Sequence, residues 1–479
     1  MERVLTNAQM READSYTINE LGIPSEVLIE RAANAILEVI LDNYKGGRVL
    51  VCIGKGNNGE DGKHLSVLLS KIHGFNVVNF FAEKDDLSVF DKKFDIIIDC
   101  LFGTGLNRQL DDKYLQIIKR INDSNSKIIS CDIPSGINGD NGLVMGGAVK
   151  ADITVAIQDY KLGHFLNDGV DYCGKIILKD IGISVWSEGH VRKMRLEDLK
   201  PFFLDRKRNV NKGSFGKACI FGGSKAYSGS VILSVNAILA LKMGLGYVNL
   251  AIPNSLYSVY AGRYPEITYT CVDDLDGNII FDKKSIDKIL KYDCIAFGMG
   301  VGVGEGVYDT LKYLLSNYYG VLIIDADGIN TLSKYGVEIL KNKACKVVLT
   351  PHLKEFERLA DIKVEKIKEN SVEIAENFAK EYQVVLLLKN STSIITDGTL
   401  SIINSTGCSG MAKGGSGDTL TGICAGMCAN NHELLTAVGA SAYVFGKAGE
   451  FAQNLQNSYT LTPSDVVKVL PSVINAIIE

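Results

Sequence analysis

Short apolar runs recur along this chain, separated by longer stretches of helical periodicity, and this alternation restricts the fold more than any other feature. The runs at 48–53, 94–99, 127–132 and 151–157 form one set, and those at 217–221, 247–252, 293–297, 321–325, 346–349 and 384–388 form a second. A strand that alternates apolar and polar residues has one wet face. A strand that is apolar throughout is covered on both faces, and with helices between successive strands this predicts parallel sheets of the α/β class. The two sets flank a segment, 186–211, that holds the only tryptophan, Trp186, together with Pro201 and a crowd of basic residues. At 479 residues the chain is long for one core. The reading is therefore two domains, 1–205 and 206–479. Ahead of the first strand, Thr6 and Gln9 have capping-box spacing, with Met10, Ala13, Tyr16 and Thr17 following at helical spacing. A second helix is expected from about Glu26 to Asp42.

Several function classes fall away on composition. A formal net charge of -5 does not suit nucleic-acid binding, which needs a basic surface. Glu2, Arg3 and Gln9 interrupt the first ten residues, where a signal peptide would carry its apolar core. A membrane span needs ~18 apolar residues; the longest candidate, 231–241, is shorter and is closed by Lys242. The 11 cysteines include no CxxC pair, and Cys52, Cys100, Cys131, Cys219 and Cys294 lie in or beside apolar runs, where a thiol acts as a small hydrophobe. This fits a reducing, cytoplasmic setting. The expected partners are small molecules, with no nucleic acid and no membrane, and the expected assembly is a homo-oligomer.

Three loops after the first set of strands carry chemistry. Gly54-Lys-Gly-Asn-Asn-Gly-Glu-Asp-Gly62 follows the first strand and can offer backbone amides to a phosphate. Asp99-Cys-Leu-Phe-Gly-Thr-Gly-Leu-Asn-Arg108 and Asp132-Ile-Pro-Ser-Gly136 each begin with an aspartate at a strand end. In open α/β sheets ligands bind beyond the carboxyl ends of the strands, where these loops fall. Together they resemble the NAD(P)H-hydrate epimerase family, and the resemblance covers most of residues 1–190. It implies a Rossmann-like three-layer αβα domain. It also implies a dinucleotide site lined by Asn57, Asn58, Gly59, Glu60, Asp61, Gly103, Thr104, Gly105, Leu106, Asn107, Arg108 and Gln109. Asp132 would be the catalytic carboxylate at the damaged ring. Asn58, Asp99 and Ser135 would hold a potassium ion, and oxygen donors of these kinds suit a hard cation. Glu60 stands where the family has glycine.

In the second half, Gly414-Gly-Ser-Gly-Asp418 runs directly into an expected helix. Such a turn leaves amides free for a transferred phosphoryl group, and a carboxylate at the helix start can take a proton from an attacking hydroxyl. The motif resembles the ribokinase-like superfamily, and the flanking motifs narrow it to NAD(P)H-hydrate dehydratases over nearly all of 212–479. They include Lys212-Gly-Ser-Phe-Gly216, Gly298-Met-Gly-Val-Gly302, Asp325-Ala-Asp-Gly328 and Thr350-Pro-His352. By that resemblance Ser230, Gly302, His352 and the catalytic Asp418 border the hydrated cofactor. Lys389, Asn390, Ser391, Thr392, Ser393 and Gly417 contact the nucleotide donor, with magnesium arriving on its phosphates.

The implied activity is repair of hydrated NADH and NADPH. The first domain would interconvert R and S epimers, and the second would use ADP to dehydrate the S epimer, releasing AMP and phosphate. Two alternatives compete: a small-molecule kinase on the same fold, and an N-terminal half that binds or scaffolds without catalysis.

Overall fold

The structure, a computed structural model, describes residues 1–185, 189–204, 206–241, 244–430 and 432–479. Trp186, Asp205 and Lys242, which in the sequence mark the junction, the domain boundary and the end of an apolar stretch, lie outside the described residues. The chain divides into two compact units. One is Arg3–Val191, and the other joins Met1–Glu2 to Arg192–Glu479. The division thus falls ahead of the 205/206 boundary read from the sequence. The short helix Leu196–Phe202 accounts for the difference, because its Leu199 is buried in the core of the C-terminal unit.

In the N-terminal unit the strands lie side by side in the order Phe75–Phe81, Gly47–Ile53, Ile96–Cys100, Lys127–Cys131, Ile153–Ile157 and Lys175–Lys179, every pair parallel. Side chains alternate between the faces of a strand. Val49, Val51 and Ile53 accordingly pack with Leu28, Ile36, Ile40, Leu65 and Leu69 of the helices Ser25–Asn43 and Asn57–Ser70. Leu50 and Cys52 turn the other way, onto Tyr114, Ile117, Ile118 and Ile121 of the helix Asp112–Asn122. Those four residues sit at i, i+3, i+4 and i+7, one stripe of a helix. The helix Asn7–Asn19 begins at the expected Thr6–Gln9 capping box. In the sheet register Cys52 pairs with Asp99 and Asp99 with Ser130, which brings the carboxyl ends of three strands level.

The sheet of the C-terminal unit runs through Thr268–Val272, Tyr247–Pro253, Lys217–Phe221, Cys294–Phe297, Val321–Ile324, Lys346–Leu349 and Val385–Leu388, all parallel. The hairpin Ser393–Thr396 and Ser401–Asn404 extends it with antiparallel pairing. The helix Ser416–Cys428 is buried from Thr419 to Cys428 without a break. A Cβ at its Gly422 would overlap the Ser234 carbonyl, so this glycine lets it lie against the helix Ser228–Leu241.

The apolar runs all form strands, whereas the strands the runs missed are peripheral or short. Phe75–Phe81 and Lys175–Lys179 are the two edges of their sheet and largely half-exposed, so they do not read as continuous apolar segments. All 11 cysteines are free thiols, and those at 52, 100, 131, 219 and 294 are buried. Among the described residues no helix is long and apolar enough to cross a membrane.

Candidate active sites

The level strand ends of the N-terminal unit open into a cavity of about 420 Å³. Its wall includes Asn57, Asn58, Asp61, Gly103, Thr104, Gly105, Leu106 and Asp132, and the helix Asn7–Asn19 adds Arg11 and Asp14. Of the other sequence-predicted residues, Gly59, Glu60, Asn107, Arg108 and Gln109 are not part of this wall. Gly59 packs beneath it, where a Cβ would overlap the Gly54 carbonyl. The Glu60 side chain is 46% exposed and pairs with Lys63 at 2.6 Å, so its charge is met on its own helix.

Asp132 has φ of +64°, a left-handed conformation that aspartate tolerates better than most residues. Gly136, at φ +100°, completes the turn, and a Cβ there would overlap the Gly147 carbonyl. The Asp132 carboxylate accepts from the Ile157 amide at 3.1 Å and from the ammonium of Lys161. Lys161, 1% exposed, also donates to the Ile157 carbonyl at 2.6 Å. His164 Nδ1 accepts from the Lys161 amide at 3.1 Å, and its Nε2 lies 2.7 Å from the Asp132 carbonyl. Burial, then the Lys161 charge, push the His164 pKa down to about 4, so the ring is neutral. Neither Lys161 nor His164 emerged from the sequence. A lysine set directly after an apolar strand, in Asp159-Tyr160-Lys161, was the available signal.

Behind the cavity, Asp99 is fully buried. It accepts from Ser135 Oγ at 2.6 Å, Ser130 Oγ at 2.8 Å, the Ser135 amide at 2.9 Å and the Leu101 amide at 3.2 Å. Burial raises its pKa against the pull of those donors. Asn58 Nδ2 donates to the Cys131 carbonyl at 3.4 Å, while its Oδ1 is buried with no hydrogen-bond partner.

In the C-terminal unit Gly415, at φ +90°, turns the chain into the helix Ser416–Cys428, whose third residue is Asp418. Ser234 Oγ donates to the Asp418 carbonyl at 2.8 Å. Burial first and the Asp325 charge second push the Asp418 carboxyl up to about 6, against a hydrogen bond from Ser230 and the Lys389 charge. Asp325, at the end of Val321–Ile324, accepts from Lys389 Nζ at 2.9 Å and Thr421 Oγ1 at 2.6 Å. Burial opposes its ionisation, but Lys389 and Thr421 outweigh burial and hold its pKa low. Gly417 stands beside this pair: a Cβ there would lie 3.3 Å from Lys389 Nζ. The Lys389 amide donates to the Pro351 carbonyl at 2.8 Å, which ties the lysine to the loop carrying His352. His352 caps the helix Leu353–Ala360, its Nδ1 accepting from the Lys354 and Glu355 amides at 3.1 and 3.2 Å. Gly302 donates to Asp327 at 2.9 Å. Thr392 is buried with its hydroxyl unpartnered, Asn390 and Ser391 are exposed, and Ser393 opens the hairpin. Asp325 and Thr421 carry the electrostatics here; the sequence offers Asp325 only as the first residue of the Asp325–Gly328 motif and gives neither a site role.

The fold and these two carboxylate-bearing sites define a two-domain α/β enzyme whose second domain is ribokinase-like. Similarity to known proteins agrees. A family model described as YjeF-related protein N-terminus matches residues 25–93 and 82–163, and one described as NAD(P)H-hydrate dehydratase matches 218–472. The bifunctional NAD(P)H-hydrate repair enzyme Nnr of Dictyoglomus turgidum is 33% identical, over 100% of this chain and 99% of that one. Its counterpart in Thermofilum pendens is 30% identical over 100% and 97%. Among solved structures, the ADP/ATP-dependent NAD(P)H-hydrate dehydratase of Bacillus subtilis, co-crystallised with ATP and Mg2+, matches at 25% identity and TM-score 0.51, covering 59% of this chain and 97% of that chain. A ribokinase-like protein of Enterococcus faecalis has TM-score 0.52 at 23% identity, covering 60% and 96%, and shares the fold. The chain belongs to the family of bifunctional NAD(P)H-hydrate repair enzymes, in which an epimerase domain is joined to a dehydratase domain.

Proposed function

We propose that the N-terminal unit equilibrates R and S NAD(P)H-hydrate at the Asp132 cavity. The C-terminal unit then dehydrates the S epimer with ADP, using Asp418 as general base. The observation that carries the reading is that full-length similarity to repair enzymes coincides with a separate carboxylate site in each unit. A single hydration step leaves two epimers, and a chiral dehydratase site consumes one of them. Asp418 takes the proton of the ring hydroxyl as its oxygen attacks the terminal phosphorus of ADP, and AMP leaves. Phosphate then departs with a neighbouring ring proton, restoring the double bond. With its pKa at about 6, Asp418 is largely ionised at neutral pH and ready to act as base.

Asn58, Asp99 and Ser135 are the proposed potassium ligands. Asn58 Oδ1 is buried without a hydrogen-bond partner, Asp99 and Ser135 are buried and joined at 2.6 Å, and oxygen donors of these kinds suit a hard cation. A potassium ion held by these three residues would supply a fixed positive charge to the site. Among the described residues no group of three or more His, Cys, Asp or Glu could hold a metal ion. Magnesium is assigned to the phosphates of the donor. Lys389, Thr392 and Gly417 are the proposed donor contacts, and Ser230, Gly302 and His352 the proposed contacts to the hydrated ring.

The test is a progress curve on mixed NADH-hydrate epimers with ADP, followed by the return of reduced-nicotinamide absorbance. A fast phase for the S epimer and a slower phase limited by epimerisation are expected, with AMP and phosphate formed in step with NADH. A phosphorylated product that accumulates without NADH would overturn the dehydratase assignment in favour of a kinase.

A further inference from the structure

Asp132 is not the only carboxyl group facing the N-terminal cavity; Asp14 and Asp61 face it too. Asp61 lies in the first turns of the helix Asn57–Ser70, and Cys131 Sγ, one residue before Asp132, approaches its Oδ2 at 3.9 Å. The two carboxyls are held very differently. Asp132 is gripped by the ammonium of Lys161, which spends a second proton on the Ile157 carbonyl. The charges that act most on Asp61 are those of Asp132, Asp14 and Glu60, all negative. Burial first, and those charges next, push its pKa up to about 8. When like charges share a desolvated site, one group keeps its proton, and a pair whose environments differ this way supplies an acid and a base. The charged groups around Asp61 are Arg11, Asp14, Lys55, Glu60, Asp132 and Lys161, and only Asp132 among the carboxyls has a buried cation bound to it.

We propose that Asp61 is a catalytic residue of the epimerase site, donating a proton to the ring hydroxyl while Asp132 acts as its basic partner. The proposal rests on the epimerase reading of this cavity. Hydration places the hydroxyl on the carbon beside the ring nitrogen, so that carbon is a carbinolamine. Asp61 gives its proton to the hydroxyl oxygen. The carbon–oxygen bond breaks with its electron pair going to oxygen, water leaves, and the nitrogen lone pair closes a carbon–nitrogen double bond. Water then adds to the opposite face, the π pair returns to nitrogen, and the proton this water sheds goes to Asp132. Transfer of that proton back to Asp61 through solvent closes the cycle with no net change.

The experiment uses the full-length protein with mixed epimers, saturating ADP and potassium, after subtraction of spontaneous epimerisation. In Asp61→Asn the slow phase should fall by about 10²–10⁴-fold, the usual worth of a general acid. The fast phase should keep its wild-type rate, and the KM for the hydrate in the slow phase should change by no more than a few fold, because asparagine keeps the hydrogen-bonding shape. Asp61→Glu should recover part of the loss. The wild-type slow phase should decline on the alkaline side, and that limb should be missing from the residual activity of Asp61→Asn. A wild-type slow phase in Asp61→Asn overturns the proposal. If Asp132→Ala slows epimerisation and Asp61→Asn does not, only this proposal falls; if neither variant matters, the epimerase reading itself falls. Should Asp61→Asn fail to fold, the wild-type pH profile decides, and a catalysed slow phase that stays flat far above neutrality refutes the role.

Discussion

Replacing Asp325 by asparagine should both weaken the C-terminal unit and move the dehydratase's acidic pH limb to lower pH. The Asp325 side chain is 2% exposed and its two oxygens are taken by Lys389 Nζ at 2.9 Å and Thr421 Oγ1 at 2.6 Å. Asparagine keeps the shape but drops the charge, and its amide nitrogen must face one of two donors. Breaking a buried ion pair by removing one partner costs about 3–5 kcal/mol. Lys389 retains 18% exposure, so the cost belongs at about 3 kcal/mol, the lower end of that range. For a unit of this size that is a loss of roughly 5 °C in Tm. The catalytic effect has a definite sign. The Asp325 charge, second only to burial, raises the Asp418 pKa, and Lys389 lowers it. Removing Asp325 deletes the first influence and frees the second, so the Asp418 pKa must drop from about 6. Because the ionised form is the base, activity rises with pH through that value, and the rise should move to lower pH in the variant. The measurement is kcat against pH with S-enriched hydrate and ADP, beside thermal unfolding. An acid limb that stays put, or moves to higher pH, would refute the electrostatic coupling whatever happens to Tm.

Asp418→Asn should cut dehydration by about 10²–10⁴-fold while ADP binding changes by only a few fold, measured as turnover and nucleotide titration. Glu60→Gly should keep the epimerisation phase near its wild-type rate at neutral pH but move its alkaline limb to lower pH, because the Glu60 charge helps raise Asp61. Glycine inside the helix Asn57–Ser70 should cost about 1 kcal/mol, the two effects being read by progress curves and thermal unfolding. Ser135→Ala should remove potassium stimulation of the slow phase and destabilise the N-terminal unit by about 1–3 kcal/mol, since the buried Asp99 loses its 2.6 Å donor. A variant that still responds to potassium, relative to a bulky organic cation, would contradict the ligand assignment. His352→Asn should hold helix stability close to wild type, because asparagine is also a good cap for the Lys354 and Glu355 amides, yet raise the KM for the hydrate.

The layered α/β architecture was legible in the sequence because burial on both faces forces apolar residues into unbroken runs, as at Val49–Ile53 and Leu322–Ile324. The loops that end those runs were legible too. Asp99, Asp132 and Asp418 stand out because few places other than a site tolerate a carboxylate at the end of an apolar strand or directly after a glycine turn. Edge strands such as Lys175–Lys179 left no such trace, being wet along one side. What no local pattern carries is which side chains meet across distance. Lys161 is one lysine among many until the chain returns it to Asp132, and Asp325 is a strand-end acid until Lys389 and Thr421 close on it. The same holds for proton affinity. The elevated pKa values of Asp61 and Asp418 arise from burial first and then from Asp132 and Asp325, each distant in the chain from the group it acts on. Sequence by itself determined the fold class and the chemical groups on offer, because backbone periodicity and loop composition are local. Tertiary structure alone decided which carboxyl groups are paired and which are left to hold a proton, because desolvation and Coulomb energy depend on distances that only folding creates.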